Sequence, residues 1–577
     1  MKDNQLISVG LAFGLTVSIL NAQQTSSVCS NPTAYTTIHA NNIKAGLLNA
    51  GDMFWDFNDA QFIPNPTPGG PNPATIFAAG MWIGGVDPGG NLGLATVTYR
   101  PGGVTDYWAG PLDESGITDE FTCSNWDRFF RAKGADIKSF LDNLPDLVNN
   151  PSSAIADYKD VMGWPGRGNP YFTDIWGFDL PFTQQNLASF HDENQDGSYD
   201  PLQGDYPVVK LQGKPEFVPA EIVWCVFNDQ GGGAEHSNSH GNPLQIEVQL
   251  TVWAFNDPNQ PVLNNTLFTA HKMINRNQYF VDSCFWGIWV DFDLGCYTDD
   301  YIGCAPDQDA FYAYNQDPVD GTSGTTCDGG VATFGFNPPV QSATFLSRSL
   351  DKFIYYNNAG VGNPFAATTD PNLPIEYYRY LTGRWRDGSP YTNGGSGYQS
   401  GSIPVDYAFP DLPDDPNGWS MCTADLPFGD RRVMGIHKIG QFVPGQIEEL
   451  VTAWTVHPGP ELPCGLGTTL DDIADLHDLY ADGFAGVQSP LTAIPDIVEA
   501  PISIFPNPAA NVVRLEYGDL PVREIRLFSS DGKFVQTWNN IQSGQTVLNV
   551  GGLSNGVYAL QLLTERGVAV KKIAVLK

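Results

Sequence analysis

Along this chain, alternation of apolar and polar positions is the dominant signal. Leu244, Ile246, Val248, Leu250 and Val252 alternate with Gln245, Glu247, Gln249 and Thr251, a period of two that predicts a strand with one apolar and one wet face. Apolar runs over 222–227, 267–274, 284–290 and 447–456 predict further strands at hairpin-like intervals. Earlier, the run 78–85 mixes Ala, Met, Trp and Ile with Gly80, Gly84 and Gly85, and reads as a strand against which another backbone packs closely. Helical spacing is confined to two places. Ile137, Phe140, Leu141 and Leu144 predict a helix over 132–144 that Pro145 ends, and Ile473, Leu476, Leu479 and Tyr480 predict a short helix over 471–480, with Thr468 or Thr469 as its cap. The pattern therefore predicts a mainly β protein, an antiparallel β-sandwich body with short helices.

Composition agrees and adds a division. The 577 residues include 61 Gly and 44 Pro, which favour many turns, while 42% hydrophobic and 16% charged residues exclude a disordered or coiled-coil chain. The formal charge of -35 repels phosphate and excludes nucleic-acid partners. That charge is uneven: residues 501–577 carry +3, and the remainder carries -38. The organisation read from these shifts is a signal peptide over 1–22, an N-terminal β-rich region over 23–215, a central sandwich over 216–465, a helix and linker over 466–500, and a separate β module over 501–577.

Residues 1–22 have the layout of a secretory signal: Lys2, a mostly apolar stretch of about 15 residues from Leu6 to Leu20, and the small residue Ala22. A membrane span needs roughly 20, and no other segment approaches that length. Export allows disulfides among Cys29, Cys123, Cys225, Cys284, Cys296, Cys304, Cys327, Cys422 and Cys464. Their odd number leaves one over. Cys296 and Cys304 bracket an acidic turn and read as a staple, whereas Cys225 and Cys284 sit in apolar runs and read as buried free thiols.

The C-terminal module carries Ile504-Phe505-Pro506-Asn507-Pro508-Ala509, then Ile525-Arg526-Leu527-Phe528 leading to Asp531-Gly532-Lys533, then Leu553-Ser554-Asn555-Gly556-Val557-Tyr558, and finally Lys571-Lys572-Ile573. In this order the motifs resemble the type A C-terminal sorting domain of the type IX secretion system of Bacteroidetes. The resemblance implies a small β-sandwich that docks at the outer-membrane translocon and is removed by its sorting peptidase, often with attachment of the cargo to surface lipopolysaccharide. The cargo would then reside at the outer cell surface or outside the cell, by way of the periplasm. Independently of the family, Asp531-Gly532 predicts a hairpin turn between 525–529 and 534–538. The body, through Tyr107-Trp108-Ala109-Gly110-Pro111-Leu112-Asp113, the segment 289–295 with Asp299-Asp300-Tyr301, Gly383-Arg384-Trp385-Arg386-Asp387-Gly388 and Arg431-Arg432-Val433, resembles a broad group of secreted Bacteroidetes proteins with the same sorting domain. That likeness implies an extracellular β-rich body and no named activity.

Two acidic constellations are the candidate chemistry. Asp192, Asn194, Asp196, Ser198 and Asp200 place an oxygen at every second position around Gly197, with Asp205 as a further ligand. Calcium takes six to eight oxygens, and a curled loop with this spacing can supply them; a solvated Asp/Asn turn has the same composition. Gln203 stands where an EF-hand has its bidentate Glu, and no helices flank the loop. In the second constellation, Asp291 and Asp293 share a strand face about 7 Å apart, and Leu294-Gly295 turns the chain so that Asp299 and Asp300 can fold back. Three readings stay open for it: a cation site, an acidic strand end reaching water, and the paired carboxylates of a glycosidase. Glu235, His236, His240 and Glu247 lack the HExxH order and its helix. No nucleophile elbow, Walker loop or dinucleotide fingerprint is present. The sequence thus favours a calcium-stabilised surface protein that adheres to glycans or proteins without catalysis, over a glycan-active hydrolase or a passive envelope component.

Overall fold

The computed structural model describes residues 29–70, 72–100, 103–181, 187–233, 236–321, 331–360, 362, 364–427, 429–491, 502–518, 520–530, 533–539, 541, 544–564 and 567–577. The expected signal peptide, the Asp531-Gly532 turn, Glu235, Cys327 and most of the linker lie outside them. The chain divides into two compact units, 1–491 and 492–577.

Two nine-stranded antiparallel sheets build the first unit. One runs in the order Tyr35–Ile38, Ile43–Leu48, Asp52–Met53, Ile76–Val86, Val281–Phe292, Arg431–Phe442, Lys352–Asn357, with Phe62–Pro64 and Leu92–Thr96 beside this path. The other runs Asp300–Ala305, Ala310–Asn315, Val340–Phe345, Ile447–His457, Thr266–Asn275, Ile246–Ala254, Glu221–Asn228, Trp108–Ala109, with Phe130–Lys133 paired to Glu221–Asn228. The ladders cross residue 215, since Ile76–Val86 pairs with Val281–Phe292 and Phe130–Lys133 with Glu221–Asn228; residues 23–215 and 216–465 share both sheets.

The large core lies between the sheets, where Val223, Cys225 and Phe227 meet Trp82, Trp286 and Trp289 among many others. A second core covers the outer face of the second sheet: Trp224, Trp253 and Phe268 pack there under Ile137 and Phe140 of the helix Gly134–Leu147 and Leu476 of the helix Thr469–Ala481. This second layer corrects the wet face expected for Ile246–Ala254. Trp253 is buried on that face, and Glu247 and Gln249 are buried too, because Glu247 is gripped by the Arg276 guanidinium at 3.0 Å and accepts from Gln249 Nε2 at 2.9 Å. A buried carboxylate needs such a partner.

Pro145 does not end its helix. It lies in the last turn, which continues to Leu147 and closes with Val148 N donating to Leu144 O at 3.0 Å; a proline this near the end removes a single bond. Thr468 occupies the N-cap position of Thr469–Ala481, but its hydroxyl donates to Asp472 Oδ2 at 3.1 Å instead of capping the backbone. The glycines of Ile76–Val86 behave as expected: a Cβ on Gly80 would sit 2.4 Å from Val97 O, and one on Gly85 2.4 Å from Val281 Cγ1.

Disulfides join Cys29 to Cys123 and Cys422 to Cys464. Cys225 and Cys284 are buried free thiols, as read from their apolar runs. The staple between Cys296 and Cys304 is not formed. Cys296 is disulfide-bonded, while Cys304 is a free buried thiol pointing at Ala408 O inside the core. Strand alternation in Asp300–Ala305 turns it inward, away from the acidic turn.

The second unit holds a three-stranded sheet, Ser503–Phe505, Val512–Gly518 and Gly544–Asn549, and a four-stranded sheet, Phe534–Trp538, Val522–Ser529, Gly556–Thr564 and Gly567–Val575. Val513, Leu515, Ile525, Leu527, Leu560 and Leu562 form its core. The predicted hairpin is present, with Ile525 opposite Trp538.

Candidate functional site

A cleft of about 670 Å³ opens at one end of the first sheet. Its floor is built by cross-strand pairing, which sets Asp291 directly opposite Arg432. Arg432 Nη2 lies 3.2 Å from Asp291 Oδ2 and donates to the Tyr99 hydroxyl at 3.0 Å, Tyr99 donates to the same Asp291 oxygen, and Arg432 Nη1 holds Asp430. A register shift between Asp291 and Phe292 against Ile76–Val86 follows, the kind of bulge that re-aims side chains at a sheet end. Asp293 reaches the same cleft beside Asp291, and its carboxyl has no hydrogen-bond partner among the described residues. Asp291 Oδ1 is buried and also without one.

Tyr99 is the hub of an aromatic wall. Trp289, Phe77 and Trp55 meet its ring edge-to-face, with centroids at 5.3, 5.6 and 5.9 Å. Trp289 is anchored in turn by donating to the Tyr356 hydroxyl at 2.7 Å. Trp55 donates to Asp52, which also holds Arg100 at 3.0 Å. Tyr297 and Pro73 complete the rim.

Burial sets the electrostatics here. It pushes the Asp291 carboxyl up to about 7, against the pull of the adjacent Arg432. Asp293 is raised well above the usual carboxylate range, first by desolvation and then by the neighbouring Asp291 and Asp430 charges. Two carboxyls this close resist ionising together, and the Arg432 guanidinium is held by Asp291.

The four aspartates of this constellation do not converge on one point. Asp299 and Asp300 lie off the cleft and serve the turn: Asp300 accepts from Leu294 N at 2.8 Å and Asp299 from Gly321 N at 2.8 Å. Asp299 falls instead beside Cys296 and Asp320 in a buried group with metal-like spacing. Cys296 is in a disulfide and Asp320 is committed to Cys296 N and Phe334 N, so no thiolate is available there. At Asp291 the resident cation is Arg432.

The acidic loop curls as its spacing requires. Asp192 accepts from Asp196 N and Gly197 N, Asn194 from Asp196 N, Asp196 from Ser198 N, and Asp200 from Leu202 N. Asp205, buried at the centre, accepts from Glu193 N at 2.9 Å and Asp200 N at 2.7 Å, drawing both ends of the loop together. Gly197 takes the left-handed backbone of the turn. Burial raises Asp205, and the Asp192 and Asp196 charges add to the shift.

The histidine-rich segment is structural. Both ring nitrogens of His236 are taken by carbonyl oxygens, Leu94 O at 2.6 Å and Asp229 O at 2.7 Å. Sequence reading passed over Tyr99 as a functional side chain and quoted Arg432 only within a resemblance. Their role depends on contacts of Tyr99, in the loop after Leu92–Thr96, with residues 192 and 333 positions away in the chain, which no local spacing encodes.

Residues 503–576 match the family described as the secretion system C-terminal sorting domain. The protein is thereby a type IX secretion cargo, exported to the cell surface or the extracellular space. No curated protein matches the chain. Among solved structures, the chain is similar to a polysaccharide lyase at 8% identity and TM-score 0.19, over 57% of this chain and 34% of that one. A biofilm-associated protein domain is similar at 10% identity and TM-score 0.14, over 99% of this chain and 85% of that one. The chain thus spans about a third of the length of the lyase, and neither likeness carries an argument about activity. No helix among the described residues is long and apolar enough to cross a membrane.

Proposed function

We propose that the exported body is a surface binding protein whose cleft at Tyr99, Asp291, Asp293 and Arg432 takes a neutral glycan, with calcium bracing the 192–205 loop and no bond broken. The observation that carries this reading is the combination of an aromatic wall with two neighbouring carboxyls and a neutralised arginine in a cleft of about 670 Å³. Aromatic faces suit the apolar faces of sugar rings, while the acid, the phenol and the guanidinium offer the few fixed polar contacts that orient a ligand. Lipopolysaccharide attachment after sorting would keep this cleft at the cell surface.

Calorimetric titration of the mature protein with a panel of neutral oligosaccharides tests it. Tyr297→Ala, a change on the partly exposed rim, should weaken the best ligand about tenfold while leaving melting unchanged. Silence of the whole panel refutes the glycan reading.

A second reading, glycan hydrolysis, is favoured by one observation: two carboxyls line one cleft and, among the described residues, Asp291 is paired with an arginine while Asp293 is not, unequal surroundings of the kind that sort acid from base. Against it, Asp291 and Asp293 project from one wall, and Asp291 is clamped by Arg432 and Tyr99. Release of reducing ends from any panel member by the wild type, lost in Asp293→Asn, would establish hydrolysis; no release removes it.

A further inference from the structure

Arg431 and Arg432 are consecutive at the start of Arg431–Phe442, so strand alternation sends them to opposite faces of the sheet. Arg432 is neutralised twice, by Asp291 and Asp430. Arg431 is not. It is 7% exposed, and its only hydrogen bonds among the described residues go to two carbonyls, Gly429 O at 3.0 Å and Pro427 O. Its Nε is buried without an acceptor. No carboxylate pairs with it among the described residues. Burial depresses its basicity, and Asp430 and Asp300 act on it only from a distance.

A buried guanidinium without a counter-charge costs several kcal/mol in principle and is rare unless something balances it. The contrast is sharper in a chain of formal charge -35, where carboxylates abound. Arg431 lines a separate cavity of about 550 Å³, together with Tyr355, Asn357, Phe365, Thr368 and Ser396. Phe365, among its lining residues, is 72% exposed and leans on Tyr398 at 5.7 Å. Tyr355 is anchored by donating to Ser396 O at 2.7 Å.

We propose that this cavity is a binding site for a small organic carboxylate, whose anionic group pairs with Arg431 and whose ring lies on Phe365. Planar guanidinium and carboxylate match in a two-pronged hydrogen bond. The ligand supplies the charge the fold omits. This site lies on the other face of the sheet from the Asp291 cleft and does not depend on what that cleft binds.

Titration calorimetry of the full chain with D-galacturonate and with benzoate tests it, using D-galactose and benzyl alcohol as neutral counterparts. One of the two acids should bind while its neutral counterpart does not, and which acid binds tells whether the ring is a sugar or an arene. Arg431→Gln should weaken that acid about tenfold or more. Because Arg431 also donates to Pro427 O and Gly429 O, Phe365→Ala serves as the second variant: on an exposed ring it should cost binding several-fold with melting unchanged. The proposal is overturned if neither acid binds, if a neutral counterpart binds as well as its acid, or if both variants bind as the wild type does.

Discussion

His271 shows how a single buried side chain shapes the response to pH. It lies between the sheets, edge-on to Trp286 at 6.1 Å, with neither ring nitrogen hydrogen-bonded, and burial pushes its pKa down to about 3. Below pH 6.5 the unfolded chain takes up a proton that the folded one refuses, so this residue removes stability as pH falls from about 6.5 toward 3. Asp291 acts in the opposite sense: its folded pKa of about 7 exceeds the unfolded value, so it removes stability as pH rises from about 4 to 7. Comparing wild type with His271→Leu isolates the first effect. The stability gained by the variant should be larger at pH 4 than at pH 6.5 by about 3 kcal/mol, measured by denaturant unfolding; a gain independent of pH would refute the assignment. At this scale the sequence was partly legible. Asp291 and Asp293 do line one cleft, but Asp293 lies just past the strand end at Phe292, after a register shift, and not on a shared strand face. The guanidinium comes from a distant strand and the phenol from a distant loop, and no local pattern points to them.

Among the elements, the 192–205 loop and the helix Gly134–Leu147 show what spacing can and cannot encode. Alternating oxygens around Gly197 foretold a curled loop, and the curl is there, drawn in by Asp205. A proline at 145 looks like a stop, yet this close to the C-terminus it forfeits one amide bond and the turn still closes through Val148 N to Leu144 O. If calcium braces the loop as proposed, millimolar calcium should raise the melting temperature of chelator-treated protein, and Asp196→Asn together with Asp200→Asn should abolish the rise. An identical midpoint with calcium and with chelator removes the metal from the account. The disulfide Cys29–Cys123 closes a span of 94 residues, and replacing both cysteines with serine should cost about 2–5 kcal/mol, read from the loss in denaturant midpoint.

For the whole molecule, the class was readable and the layering was not. Period-two alternation announced strands, and a charge step announced a separate C-terminal module. Alternation alone gives no sign that the second sheet is roofed by helices, since Glu247 and Gln249 look like surface residues until Arg276 is placed over them. Deleting residues 501–577 should leave the body folded, because each unit has its own core, and should retain it in the periplasm. Surface labelling of cells that matches the intact chain would contradict the sorting role.

The pairing of Ile76–Val86 with Val281–Phe292, and of the latter with Arg431–Phe442, has a kinetic consequence. The central ladder cannot zip until some four hundred residues have emerged, and closing such wide loops is slow. A polypeptide on its way out of the cell would therefore gain the rigidity of this sheet only after the last of those strands has arrived.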